Sequence, residues 1–156
     1  SGALCPEDAP ETIRERCERQ GRTKAFALLP GFCPLSQPDV RALQLAKGAI
    51  AAAESILLEE AGLRASDLED VLLAGAFGTA LDPKNAIRIG LVPKTRTPAR
   101  GVGNAALEGA ARYLSGPGAA RERHKGILER AVHVPLHADP RFQETFIASL
   151  SIAPWV

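Results

Sequence analysis

The sequence predicts an α/β domain, and three observations carry that prediction. A wide apolar stripe at helical spacing fills residues 37–61. A continuous apolar run of strand length occupies 71–77. Two short helical segments, 83–90 and 105–114, each follow a strand-like stretch and a glycine. Strands that alternate with helices imply a sheet with helices packed on it.

Residues 1–35 form the least regular part, an N-terminal segment distinct from the main domain at 36–156. Pro6, Pro10, Pro30 and Pro34 punctuate it, residues 11–20 read as a short polar helix, and KAFALL at 24–29 reads as an edge strand. The pattern sharpens at Ser36-Gln37-Pro38-Asp39. Ser36 can cap a helix, Pro38 is tolerated in the first turn, and Asp39 complements the positive helix end. Val40, Leu43, Lys47, Ile50, Glu54, Leu57 and Ala61 then fall on one side, and Gly62 stops the helix. Ser66 to Glu69 has capping-box form with no long helix behind it.

The run at 71–77 suits a strand covered on both faces, ending in a tight turn at Gly75-Ala76-Phe77-Gly78. Asp82-Pro83 caps the helix that closes at Gly90. Residues 100–102 read as a strand, Gly103-Asn104 as the turn after it, and Asn104 as the cap of the helix at 105–114. A helix at 119–130, a strand at 131–136 and a last helix from Asp139-Pro140 to Ser149 complete the reading.

Composition removes several functions. The 156 residues carry a net charge of +1, with one Trp and one Tyr. There is thus no electrostatic case for nucleic acid or an anionic membrane, and few base-stacking platforms. The longest uncharged apolar run, 71–81, is shorter than the about 20 residues that span a bilayer. No stretch at the start reads as a basic-then-apolar leader, and the cysteine usage makes the cytoplasm the expected location. Cys5, Cys17 and Cys33 lack C-x-x-C spacing and read as reduced thiols rather than metal ligands.

No residue set stands out as catalytic. His133 and His137 flank Pro135, which argues against a shared helix face, and on a strand they would lie about 13 Å apart. His124 sits on a charged helix face. No nucleophile elbow, zinc-protease motif or P-loop is present. Asp39, Asp67, Asp70, Asp82 and Asp139 read as caps and turn residues. What remains are two glycine turns, Gly75 to Gly78 and Gly103-Asn104, each where a strand end meets a helix start. In open α/β sheets ligands bind at that edge, and glycines let them approach the backbone. The same glycines also serve as plain turns.

Four collinear blocks go further: DVRALQLAKGAIAAAESILLEEAGL (39–63), VLLAGAFGTALDPKNAIRIGLVP (71–93), VGNAALEGAARYL (102–114) and HADPRFQETFIASLSI (137–152). Together they resemble the C-terminal region of the reductive activators of corrinoid proteins. The resemblance implies an actin-like (ribonuclease H-like) ATPase subdomain, a mixed sheet packed with helices, of the acetate/sugar kinase, heat-shock chaperone and actin superfamily. It implies that Gly75, Ala76, Phe77 and Gly78 line the adenosine part of a nucleotide cleft, with Gly103 and Asn104 nearby. It implies a longer parent that uses ATP and Mg²⁺ and carries a [2Fe-2S] cluster in a ferredoxin-like domain. That parent delivers electrons to a corrinoid protein and reduces cobalt(II) to cobalt(I). The superfamily's phosphate loops and the cluster cysteines have no match here, so the expectation is a fragment without catalytic activity of its own. The competing reading is a non-catalytic interaction module, in which helices 37–61 and 105–114 dock a partner or a second copy to give a homodimer. A stand-alone small enzyme ranks last.

Overall fold

The computed structural model describes residues 8–20, 23–29, 32–116 and 118–155. Cys5, Pro6, Pro30 and the Cys33 side chain lie outside the described set. Contacts divide the chain into two units, 1–47 and 48–156, and the division falls inside one continuous helix.

In the first unit a single helical turn, α1 (Glu11–Arg14), leads into three strands: β1 (Cys17–Gln20), β2 (Thr23–Leu29) and β3 (Phe32–Ser36). They form an antiparallel meander with β2 in the middle. The edge strand expected at 24–29 is therefore central, and the polar stretch after α1 is a strand rather than more helix. Pairing explains this. Cys17 and Leu35 both sit opposite Phe26, so β2 has neighbours on both sides. Arg16 holds the layer, its Nε donating to the Ala27 carbonyl at 3.0 Å and its guanidinium lying 4.6 Å from the Phe26 ring centroid. Cys17 is disulfide-bonded, which corrects the expectation of reduced thiols. Sequence spacing does not bound distances once a chain turns back on itself.

Helix α2 (Gln37–Glu60) starts as predicted. The Asp39 carboxylate accepts from the Ser36 backbone N–H at 2.8 Å and from its hydroxyl at 2.5 Å. Those hydrogen bonds hold Asp39 below the usual carboxylate range.

In the second unit α2 buries Ala51, Ala52 and Ile56. Gly48 faces helix α7 (Phe142–Ala148), and an added Cβ there would sit 3.1 Å from the Leu150 side chain and 3.4 Å from Phe146. The small residues of α2 thus serve close packing within the chain at this point. Arg141 joins the same two helices, its guanidinium reaching Glu59 at 3.2 Å, Glu60 at 2.5 Å and Asp139 at 2.6 Å.

A parallel pair follows, β4 (Leu72–Leu73) with β5 (Arg100–Gly101). Between them lie α3 (Gly75–Ala80) and α4 (Pro83–Arg88). The predicted strand at 71–77 is only two residues long because Gly75, at φ +79, turns the chain into a helix. A continuous apolar run cannot by itself separate a buried strand from a buried helical turn. Ala86, Leu91 and Val92 form the core here, with Val71, Leu73, Leu81, Ile87 and Ile89 packed on them. Trp155 closes it by donating from its indole nitrogen to the Gly90 carbonyl at 3.1 Å.

Helices α5 (Ala105–Ser115) and α6 (Gly118–Leu128) come next. The strand expected at 131–136 is absent. Pro135 removes a backbone donor there, and Leu136 begins a 3-10 turn to Ala138.

Candidate functional site

The site forms where β4 and β5 end. Arg100 N–H donates to the Val71 carbonyl at 3.1 Å, and Val102 N–H to that of Leu73 at 2.9 Å. The last rung is a glycine pair, in which Gly75 N–H donates to the Gly103 carbonyl at 2.7 Å. Both glycines have left-handed backbone, φ +79 and +66. L-residues with a Cβ rarely adopt this conformation. Beside both Cα atoms the space is open, with no atom of the described residues beyond the chain neighbours and the helix's own backbone within 4 Å of where a Cβ would stand. Helix α3 starts at the first of them and α5 two residues after the second.

Asn104 caps α5, its side-chain oxygen accepting from the Leu107 N–H at 3.0 Å. Asp82 does the same for α4, accepting from Asn85 N–H at 2.9 Å. Replacing Asn104 by alanine leaves that donor unmet, and the expected cost is about 1 kcal/mol, read as a lower urea midpoint.

Gly78 has a different role. A Cβ there would run into the carbonyl oxygen of Leu73, and its carbonyl carbon would be only 2.6 Å away. Gly101 repeats the arrangement, since a Cβ on it would run into the carbonyl oxygen of Gly78. Helix α3 therefore lies backbone-on-backbone against both strands. Of the six predicted site residues, the structure brings Gly75, Gly103 and Asn104 to one edge and makes Gly78 the packing point beneath it. Ala76 is exposed, and the Phe77 side chain lies outside the described set. Gly101 was missed, although a glycine inside a strand often marks close approach of another backbone.

Among the described residues no group of three or more His, Cys, Asp or Glu side chains is placed to hold a metal ion. His124 packs edge-on against Tyr113, their ring centroids 5.0 Å apart. Among the described residues no helix is long and apolar enough to cross a membrane.

Residues 10–154 match the family profile described as the C-terminal domain of RACo, the ASKHA domain. The chain belongs to this family. The actin-like α/β class predicted from the sequence is thereby shown. A corrinoid activation enzyme, RamQ of Eubacterium limosum, is 43% identical over 118 residues, covering 72% of this chain and 19% of RamQ. A solved structure, the reductive activator for corrinoid, iron-sulfur protein, matches at a TM-score of 0.71 and 26% identity, over 90% of this chain and 24% of that one. The ASKHA chain described here thus spans about a fifth to a quarter of the length of these relatives.

Proposed function

We propose that this ASKHA domain supplies the adenosine side of the nucleotide cleft in an ATP-dependent, iron–sulfur reductive activator of a corrinoid protein. The observation that supports the reading most is the open glycine pair. Gly75 and Gly103 hold left-handed backbone at the carboxyl ends of two parallel strands, with free space beside both. A flat ring system can lie against such a surface, because a glycine carries no side chain to hold it off. Asn104 fixes the start of α5 next to it.

The described residues at this edge fit the nucleoside and not the remaining groups. Mg²⁺ and phosphate need clustered acidic and basic donors, and a [2Fe-2S] cluster needs four thiolates. Those belong to the remainder of the parent, together with the docking of the corrinoid protein. The β4–β5 pair fits this division, since it has two strands among the described residues and parallel sheets usually carry more. When bound in the parent, the nucleotide would supply the free energy coupled to electron delivery to the partner's corrinoid.

Asparagine tolerates left-handed backbone, so Gly75→Asn and Gly103→Asn fill the open space without forcing the chain. In the full-length activator either change is expected to weaken ATP binding at least about tenfold, or about 1.4 kcal/mol, with the circular dichroism spectrum unchanged. Full ATP-dependent activation in both variants would overturn the reading. The 156-residue chain alone is expected to bind ATP weakly or not at all, and isothermal titration that returned a micromolar Kd would contradict that.

The second reading, an interaction module, draws on α5, where Leu107 and Leu114 are 66% and 75% exposed and lie two turns apart. Under that reading the glycine edge is only a turn, and both asparagine variants stay fully active.

A further inference from the structure

A cavity of about 230 Å³ lies against the C-terminal half of α2. Glu54, Leu57, Leu58, Leu68, Val71 and Pro93 line it. Five of the six carry only hydrocarbon, so among the described residues Glu54 is the one ionisable group in the lining. Its Oε2 has no hydrogen-bond partner and almost no accessible surface, so a guest meets the carboxyl through Oε1. Glu59 and Glu60, one turn further along α2, are already engaged by Arg141. A carboxyl group in this position is costly, because desolvation penalises its charge and nothing nearby compensates it.

We propose that the cavity binds a primary alkylammonium group, its hydrocarbon stem on Leu57, Leu58, Leu68 and Val71 and its ammonium on the Glu54 carboxyl. A purely apolar guest would leave the carboxyl unsatisfied, and an anion would be repelled by it. An alkylammonium satisfies both parts of the lining, as lysine stems do when they lie on apolar surface with the charge at a polar end. The volume agrees. It is several times the roughly 30 Å³ of a water molecule and below the roughly 300 Å³ at which drug-sized pockets begin. A butylammonium group, free or on a lysine side chain, is of that size.

Binding of the cation is coupled to proton release. Burial pushes the Glu54 carboxyl up to about 7, and a cation beside it favours the ionised form. The free group holds its proton below that value, so the guest must displace a proton in acid and need not in base. Affinity therefore rises with pH.

Titration of the chain with n-butylammonium chloride, followed by the leucine methyl NMR signals, tests this. The expected Kd is on the order of tenfold or more tighter at about pH 8 than at about pH 5.5, with n-butanol showing no such dependence. Glu54→Gln is expected to abolish the pH dependence and most of the binding. An acetyl-Gly-Lys-Gly-amide peptide separates the sources: tighter binding than the free amine marks a partner's lysine, and weaker binding marks a small amine. Binding by the Gln variant equal to wild type would overturn the proposal, as would unmoved leucine methyls with both probes. If the variant does not fold, the wild-type pH profile decides, and a flat one refutes the inference.

Discussion

Alanine at Gly101 or Gly78 is expected to destabilise the chain by about 3 kcal/mol, the upper part of the usual range for overpacking. The atoms that an added methyl would meet are backbone, the Leu73 carbonyl for Gly78 and the Gly78 carbonyl for Gly101. A side chain would rotate away, but these carbonyls cannot. The Leu73 oxygen is held by the Val102 N–H at 2.9 Å, so moving it breaks the β4–β5 ladder. For a chain of this size the loss corresponds to a fall in Tm of roughly 10 °C. Gly75→Ala and Gly103→Ala give the contrast. Their surroundings are open, and only the left-handed backbone is penalised, by about 1–2 kcal/mol. Thermal melts of the four variants should therefore fall into two classes. Equal losses at all four positions would mean that α3 does not pack backbone-on-backbone against the strands.

That ordering marks where the sequence was readable. Ser36, Asp82 and Asn104 announce their helices through chemistry that acts within three residues, so the starts of α2, α4 and α5 were legible. Features that depend on distant partners were not. The central place of β2 rests on pairing with both β1 and β3, and KAFALL alone does not encode it. Residues 131–136 have the apolar content of a strand but find no partner among the described residues. At the candidate site the composition was legible and the division of labour was not. Gly75, Gly78 and Gly103 read alike and Gly101 was not singled out, yet Gly75 and Gly103 are open while Gly78 and Gly101 are wedged against backbone. The bond from Gly75 to the Gly103 carbonyl, which joins the open pair, spans two helices and a strand. The shared wording of four blocks identified the family because it samples many such long-range constraints at once.

Glu54 yields the second large effect, a stability that falls as pH rises through the neutral range. In the folded chain burial raises its carboxyl from 4.5 to about 7. Between those values the folded state keeps a proton that the unfolded state has released. Stability is then greatest below about pH 4.5, declines toward pH 7 and is level above it. With the group only partly enclosed, the loss is about 1–2 kcal/mol after allowance for solvent screening. Asp39, Asp67 and Asp139 act in the opposite sense, because hydrogen bonds hold their carboxyls below 3.8. Their contribution disappears only on acidification below that value, so the two effects occupy separate pH windows. Urea unfolding at a series of pH values should therefore show a maximum near pH 4 to 4.5 and a decline above it. Glu54→Leu should remove the decline and raise stability at about pH 8, because leucine suits the surrounding leucines and carries no charge to desolvate. An unchanged slope in that variant would show that another group titrates there, and would also remove Glu54 as the anchor of the cavity.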